Sequence, residues 1–436
     1  MSDFREDGAA TLEWVATYLE TLRERRPVLS QVEPGTIRRG LPVSPPEEAE
    51  PFADVLRDLD EILLPGLTHW QSPRYFAYFA TTAAEPGILA ELIAASLNQV
   101  GILWRTSPAL QELEELMIDW VRQLLGLPEG FAGQLEDTAS TGLVSALAAA
   151  RAVSPDRRVV VCSEHTHSST IKAARLLELE IRTTPADQHH AMRPDRLELE
   201  GACAAVATVG TTSSTAIDPV APIAERCRAA GVWLHVDAAY AGAAAVCPEL
   251  RSHFVGWELA DSIGFNPHKW LFTPMDCSIL LTGRRDAFRD AFSLVPEYLR
   301  VDEEVLSLSE FSQPLGRRFR ALKLWAVLRC FGAEGLRAVI REHVRIAGLF
   351  AGWVEAEAGW EVVAPHPFSL VCFRLDADDE TNERLMQRVN AAGEIFISHT
   401  KLDGRLVLRL AIGNARTNEN DVRFAWDVLR AAAADL

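Results

Sequence analysis

The chain of 436 residues has no uninterrupted apolar run near the ~18–20 residues that a membrane span needs. It also lacks a basic excess: 43 Lys+Arg stand against 61 Asp+Glu, a formal net charge of -18, which argues against a nucleic-acid footprint. No Cys-x-x-Cys occurs. The seven cysteines (Cys162, Cys203, Cys227, Cys247, Cys277, Cys330, Cys372) are odd in number and mostly set in apolar runs. Buried reduced thiols therefore fit better than disulfides or zinc ligands. His165 and His167 stand two apart, but no third ligand has suitable spacing, so no metal is expected. The N-terminus MSDFREDGAA is polar and acidic, unlike a secretory signal or a transit peptide. Apart from Ala-rich helices there is no low-complexity tract, and there is no internal repeat. A cytoplasmic protein with neither nucleic-acid nor membrane partners is expected.

What is present is ordinary globular material, 48% hydrophobic and 24% charged, long enough for two or three domains at roughly 100–200 residues each. Leu12, Val15, Leu19 and Leu22 recur at helical spacing until Pro27 stops them, and a Pro-rich stretch separates them from a second helix through Val55, Leu59, Ile62 and Leu63. Such an arm has little core of its own and must pack on something else. Helical patterns at 87–100 and 108–126 lead into strand candidates Arg158–Cys162, Ala204–Val209, Val232–Val236, Asp261–Phe265 and Ser278–Thr282. Strands separated by helix-length segments predict crossover units and a mainly parallel sheet, an α/β fold. Long helices near 317–331 and 334–357 follow. A smaller α+β pattern closes the chain, with strands Leu370–Arg374, Ile395–His399 and Leu406–Ala411 and a helix over 418–432.

Two motifs carry chemistry. Lys269, in Phe265-Asn266-Pro267-His268-Lys269-Trp270, follows a strand end, where Pro267 and Trp270 form a stiff frame that strips water from its amine. Asp237 ends the apolar run Val232–Val236, and small residues Ala238, Ala239, Ala241 and Gly242 leave room for a flat ring. A carboxylate there suits a ligand at the end of a parallel strand, although it also caps an ordinary turn. A lysine that condenses with an aldehyde and a carboxylate that keeps a pyridine nitrogen protonated are what pyridoxal phosphate (PLP) chemistry needs. Thr138, Ala139 and Ser140 open the helical run 142–151, where hydroxyls and free N–H groups hold phosphate or simply cap. His167 precedes another helix and is placed to stack on a ring or shuttle a proton.

Several longer motifs occur in one order: VEPG (Val32–Gly35), LPGLTHWQSPRYFAYF (Leu64–Phe79), HVDAAYAG (His235–Gly242), FNPHKW (Phe265–Trp270), PLGRRFRALKLW (Pro314–Trp325) and VCFRL (Val371–Leu375). Through them the chain resembles the group II PLP-dependent amino acid decarboxylases, and within these the aromatic-L-amino-acid decarboxylases. The resemblance implies the PLP-dependent transferase fold of type I: an N-terminal arm (1–84), a large PLP-binding domain (85–332) with a seven-stranded, mainly parallel sheet, and a small α+β C-terminal domain (333–436). It implies a homodimer with shared active sites, the arm packing on the partner. Carried over by position, Lys269 binds the cofactor covalently, Asp237 pairs with the pyridine nitrogen, His167 stacks on the ring and Ala239 packs on its other face. Thr138, Ala139, Ser140, Asn266 and His268 fall at the phosphate, and Thr211 near the ring substituents. Tyr298 matches the loop tyrosine used to reprotonate the substrate. Phe79 and Thr81, from the neighbouring subunit, line the substrate pocket.

The chain departs from the family at three places. Phe79-Ala80-Thr81 replaces Phe-Pro-Thr, Ile102 stands where an aromatic residue often lines the pocket, and the loop 299–313 is shorter, with Phe311 its only aromatic residue. Gly316 matches a position where plant relatives carry glycine with indolic substrates and serine with phenolic ones. The implied reaction is decarboxylation of an aromatic L-amino acid (tryptophan, 5-hydroxytryptophan, DOPA, tyrosine or phenylalanine) to the amine and carbon dioxide. The rivals are aromatic aldehyde synthesis, in which relatives commonly carry phenylalanine at the Tyr298 position, and decarboxylation of a non-aromatic amino acid. A non-catalytic PLP-binding scaffold would not need Lys269, Asp237, His167 and Tyr298 together.

Overall fold

The computed structural model describes residues 3–294 and 307–436. Contacts divide the chain into two compact units, one of Met1–Ala80, Phe350–Val362 and Phe373–Leu436, the other of Thr81–Leu349 and Val363–Cys372.

The second unit is built on seven strands: β1 (Ala132–Glu136), β2 (Val159–Ser163), β3 (Glu180–Thr184), β4 (Ala202–Thr208), β5 (Trp233–Asp237), β6 (Ser262–Phe265) and β7 (Ser278–Thr282). Their spatial order is β1-β7-β6-β5-β4-β2-β3. Strand β7 runs antiparallel to both β1 and β6, and the remaining pairs are parallel. Two antiparallel steps restore direction, so β1 points the same way as β6. All strands except β7 therefore end on one edge of the sheet.

Strands β2 and β4 are apolar almost throughout because both faces are covered. On one face Leu143, Ala146, Leu147 and Ala150 of helix Ala139–Val153 pack with Val160, Cys162, Val206 and Trp233. The edge strands β1 and β3 escaped the sequence reading because they are polar. In β1, Gln134 and Glu136 are buried but satisfy one another, Gln134 Nε2 donating to Glu136 Oε1 at 2.7 Å. Edge strand β3 carries Glu180 and Arg182, charges that discourage pairing with another chain. The two long helices expected after residue 317 are both present within Arg320–Ala356, separated at Gly332, whose φ of 62° only glycine adopts readily.

The first unit carries most of the four-stranded antiparallel sheet β10-β11-β9-β8, from β8 (Trp360–Val362), β9 (Leu370–Leu375, its first three residues assigned to the second unit), β10 (Ser398–Leu402) and β11 (Arg405–Ala411). Its core sets Phe350 edge-on to Phe373 and Trp360 edge-on to Trp426, at centroid distances of 5.1 and 4.9 Å. The apolar run Ile395–Ile397, expected in a strand of this sheet, instead pairs with the arm. Phe396 N donates to Arg74 O (3.2 Å) and Phe76 N to Phe396 O (2.8 Å), so β10 begins only at Ser398. The arm thus finds core partners in its own chain: Val28, Tyr75, Ala77 and Ala80 cluster with Phe396, and Val28 N donates to Gly393 O. These compact units cut the chain differently from the expected division at 84 and 332, because segments distant in sequence share one core.

Candidate active site

Every candidate residue of the second unit that the phosphate and ring chemistry calls for follows the C-terminal end of a strand. Thr138–Ser140 follow β1, His167 follows β2, Thr211 follows β4, Asp237 and Ala239 end or follow β5, and Asn266, His268 and Lys269 follow β6. Since these five strands point the same way, their ends share one edge of the sheet, where ligands of open α/β folds bind.

Backbone bonds tie the centre together. Thr208, Asp237 and Gly264 are in register across β4, β5 and β6. Asp237 Oδ1 accepts from Ala239 N at 3.0 Å, Ala239 O accepts from Asn266 N at 3.1 Å, and Asn266 O accepts from Lys269 N at 3.0 Å. Pro267 opens the single helical turn Pro267–Trp270, its missing N–H costing nothing at that position. Burial pushes the Lys269 ammonium below the ordinary lysine range, partly offset by the negative charge of Asp237. A lysine so placed has a larger neutral, nucleophilic fraction near pH 7.

His167 is the N-cap of helix Ser168–Leu176, its Nδ1 lying 3.2 Å from Ser169 N and 2.8 Å from Ser169 Oγ. The ring is exposed at the rim, yet surrounding protein lowers its pKa; Asp237 opposes that shift, while Lys269 and Lys172 reinforce it. Asp237 and Lys269 are thus among the charges that bear on its ring. Burial also lowers His268, to about 4, and its Nδ1 accepts from Cys277 N at 3.0 Å, so a neutral ring carries its proton on Nε2. Thr211 is buried with its hydroxyl accepting from Ala216 N at 3.0 Å, a local turn that engages it already.

Other candidates lie on other segments. Ile102 and Gly316 lie on neighbouring segments joined by the Gly101–Arg317 bridge. A Cβ at Gly316 would meet only Val100 Cγ1, at 3.4 Å. Thr81 is partly buried in the second unit. Phe79 belongs to the first unit, buried with the Arg409 guanidinium 5.5 Å from its ring centre. Tyr298 lies outside the described residues.

Three supports were invisible in the sequence. Asp218, buried and raised by that burial to about 6, accepts from Thr208 N and Met192 N at 2.7 and 2.6 Å. It fixes the end of β4. His343 Nδ1 accepts from Trp270 Nε1 at 2.9 Å, and Trp270 stacks on Tyr240 at 4.9 Å, bracing the turn that carries Lys269. Arg317 and Glu114 form a buried ion pair. A single histidine or acid in a helix or turn carries no local signal of such a partner.

The family profile described as the pyridoxal-dependent decarboxylase conserved domain matches residues 34–376. The chain belongs to the pyridoxal-dependent decarboxylases. It is 40% identical to phenylacetaldehyde synthase of Arabidopsis thaliana, over 99% of this chain and 96% of that protein. It is 39% identical to aromatic-L-amino-acid decarboxylase of Sus scrofa, over 100% and 97%. The solved structure of Oryza sativa TDC with PLP and tryptamine superposes with a TM-score of 0.96 at 36% identity, covering 99% of this chain and 98% of that one. The expected type I fold is the one observed, and this decarboxylase is a PLP-dependent carboxy-lyase. The residues present fit the cofactor. Asn266 Oδ1 is buried without a hydrogen-bond partner, and rotating that amide end for end offers its NH2 to a phosphate oxygen. Across the sheet edge, the N-terminus of helix Ala139–Val153, capped by Thr138, offers backbone N–H groups to the same anion.

The buried histidine of the site strand yields a pH prediction. His235 on β5 shares Ser262 Oγ with Trp233 Nε1, each at 2.9 Å, and burial lowers its pKa to about 4. The unfolded chain takes up this proton near pH 6.5 while the folded one resists it. The stability held above pH 6.5 is therefore lost as pH falls toward 4. From pH 7 to pH 5 this amounts to ~2 kcal/mol. His235→Asn should flatten the pH dependence of the denaturation midpoint by that amount relative to the parent, a difference in which the opposing titration of Asp218 cancels. Parallel profiles for parent and variant would refute the assignment.

Proposed function

We infer that this protein decarboxylates an aromatic L-amino acid, releasing carbon dioxide and the corresponding arylalkylamine, as a cytoplasmic homodimer. The observation that carries the reading is the backbone-linked set Asp237, Ala239, Asn266 and Lys269 at one sheet edge. The relatives aligned over almost the whole chain act on aromatic amino acids, by their names.

In this reading PLP supplies the electron-withdrawing ring that accepts the bond pair left when carbon dioxide departs. Lys269 would hold the cofactor covalently through its amine, whose lowered pKa leaves a larger neutral, nucleophilic fraction near pH 7. Asp237 holds the proton on the pyridine nitrogen. His167 covers one ring face and Ala239 the other. Thr138, Ala139, Ser140, Asn266 and His268 hold the phosphate, with Thr211 beside the ring substituents. Tyr298 delivers a proton to Cα, which makes the product an amine. Ile102 and Gly316 bound the aromatic ring, and Phe79 and Thr81 reach the pocket of the neighbouring subunit.

Dimerisation is supported by helix Glu85–Leu97, which leaves Leu89, Leu92, Ile93 and Leu97 about half exposed. Such a contiguous apolar face suits burial against a second copy, with the surface of the arm (1–84) that lies outside its own Phe396 core packing on that partner.

The second reading, aldehyde formation, is favoured by the phenylacetaldehyde synthase relative. Tyr298 argues for the amine. Holoenzyme given tryptophan, 5-hydroxytryptophan, DOPA, tyrosine, phenylalanine and glutamate separately should yield equal carbon dioxide and amine from at least one aromatic substrate, and nothing from glutamate. Tyr298→Phe in air-saturated buffer should then divert product to aldehyde, ammonia and peroxide, dissolved oxygen taking the two electrons, with the aldehyde-to-amine ratio rising by at least about tenfold, a typical contribution of a positioned proton donor being ~10²–10⁴. Aldehyde and peroxide from the unsubstituted protein would establish the second reading instead.

A further inference from the structure

Two segments distant in sequence, 100–104 and 307–317, are sewn into one wall of the second unit. Gly101 and Arg317 exchange backbone bonds of 2.9 and 3.2 Å. Ser309 Oγ donates to Ile102 O at 2.7 Å, and Ser307 Oγ accepts from Trp104 N at 3.2 Å. From behind, Ser107 Oγ donates to Val100 O at 2.8 Å. Gly101 packs closely here, since a Cβ would lie 2.7 Å from Leu110 Cδ2 and the leucine would have to shift.

A buried ion pair anchors the wall. The Arg317 side chain is 2% exposed and that of Glu114 1%. Arg317 donates to Glu114, to Leu135 O on β1 at 2.7 Å and to Ser312 Oγ at 2.9 Å. Glu114 also accepts from Leu135 N at 2.7 Å, so one carboxylate locks helix Pro108–Leu125, the edge strand and the wall together. Two charges taken out of water are an inefficient way to gain stability, and Arg317 Nε is itself buried without a hydrogen-bond partner, whereas the bonds from its two terminal nitrogens tie three segments to one geometry.

Ile102 and Gly316 are the two residues of this wall assigned to the aromatic ring, and each is adjacent in sequence to a bridging residue. We propose that Arg317, Glu114 and Ser309 are positioning residues that hold Ile102 and Gly316 at a fixed spacing and thereby set which aromatic substrate is preferred. This rests on the decarboxylase reading above and deepens it. Discrimination between ring sizes comes from small differences in fit, so a wall that relaxes by a fraction of an ångström alters the ratio between substrates more than it alters the bond-breaking step.

The test compares kcat and KM of the holoenzyme for tryptophan and tyrosine in Ser309→Ala, Ser309→Thr, Arg317→Met and Arg317→Lys. Visible absorbance of the bound cofactor and the thermal midpoint are followed alongside. Ser309→Ala, which removes one hydroxyl, should change the tryptophan-to-tyrosine ratio of kcat/KM by about fivefold, mainly through KM, with cofactor absorbance unchanged. Ser309→Thr, which keeps the hydroxyl, should restore the parental ratio. Arg317→Met should shift the ratio by tenfold or more, with partial recovery in Arg317→Lys. A ratio constant within twofold in Ser309→Ala, with only the thermal midpoint lowered, would reduce the wall to a structural feature and overturn the proposal. If Arg317→Met does not fold, the Ser309 pair decides. An unsubstituted protein inactive on every aromatic substrate would sink the decarboxylase reading and this proposal with it; activity with an unresponsive ratio sinks the proposal alone.

Discussion

Lys269→Ala should cost at least about 10⁴-fold in kcat, because it removes both the covalent hold on the cofactor and the amine that exchanges with product. Pre-positioned groups of this kind are worth effective molarities of ~10⁵ M or more, and added methylamine should restore a small part of the rate. The chain has only four lysines, Lys172, Lys269, Lys323 and Lys401, so the covalent site can be read directly. Lys172 and Lys401 are exposed, and Lys323 is buried but ion-paired with Glu91. Borohydride reduction of the parent holoenzyme followed by peptide mass mapping should place the pyridoxyl group on Lys269. A label on any of the other three, or a Lys269→Ala protein retaining more than a hundredth of the parental rate, would remove Lys269 from this role.

Asp237→Asn should leave the cofactor bound and lower kcat by roughly 10³-fold. The side chain is nearly isosteric, and its Oδ1 can still accept from Ala239 N, so β5 and the turn to Asn266 keep their geometry. What is lost is the negative charge that favours a protonated pyridine. Electrostatic groups aimed at developing charge are commonly worth ~2.7–4 kcal/mol, which is the origin of that factor. A second readout is independent of turnover. The Asp237 charge raises the Lys269 pKa against burial, so the variant should titrate its lysine lower still. A Lys269 titration in the cofactor-free protein that moves upward, or an unchanged kcat in the holoenzyme, would contradict the assignment.

Much of the fold was legible because its periodicities are strong. Strand Ser278–Thr282 falls where the apolar run put it, and β2, β4 and β5 lie within two residues of expectation at each end. Strands β1, β3 and β8 were not legible: two are polar edge strands and β8 spans only three residues, too short for an alternation to register. Of the site, the residues after β5 and β6 announced themselves through stiff, small or bulky neighbours. Asp218, His343 and the Glu114–Arg317 pair did not, because each works through a partner 10 to 203 residues away.

The sequence by itself determined the parallel strand–helix alternation and the family and singled out the candidate site residues, since these depend on residue type, local period and motif order. Only the tertiary structure decided that β1 is turned to the direction of β6, which brings the Thr138 helix to the edge that carries Lys269. It also decided that the arm shares a core with Phe396, and that Ile102 and Gly316 stand on one braced wall. Those outcomes hang on strand pairing and buried ionic contacts between distant segments, and hydrogen bonds of that range leave no periodic trace in the chain.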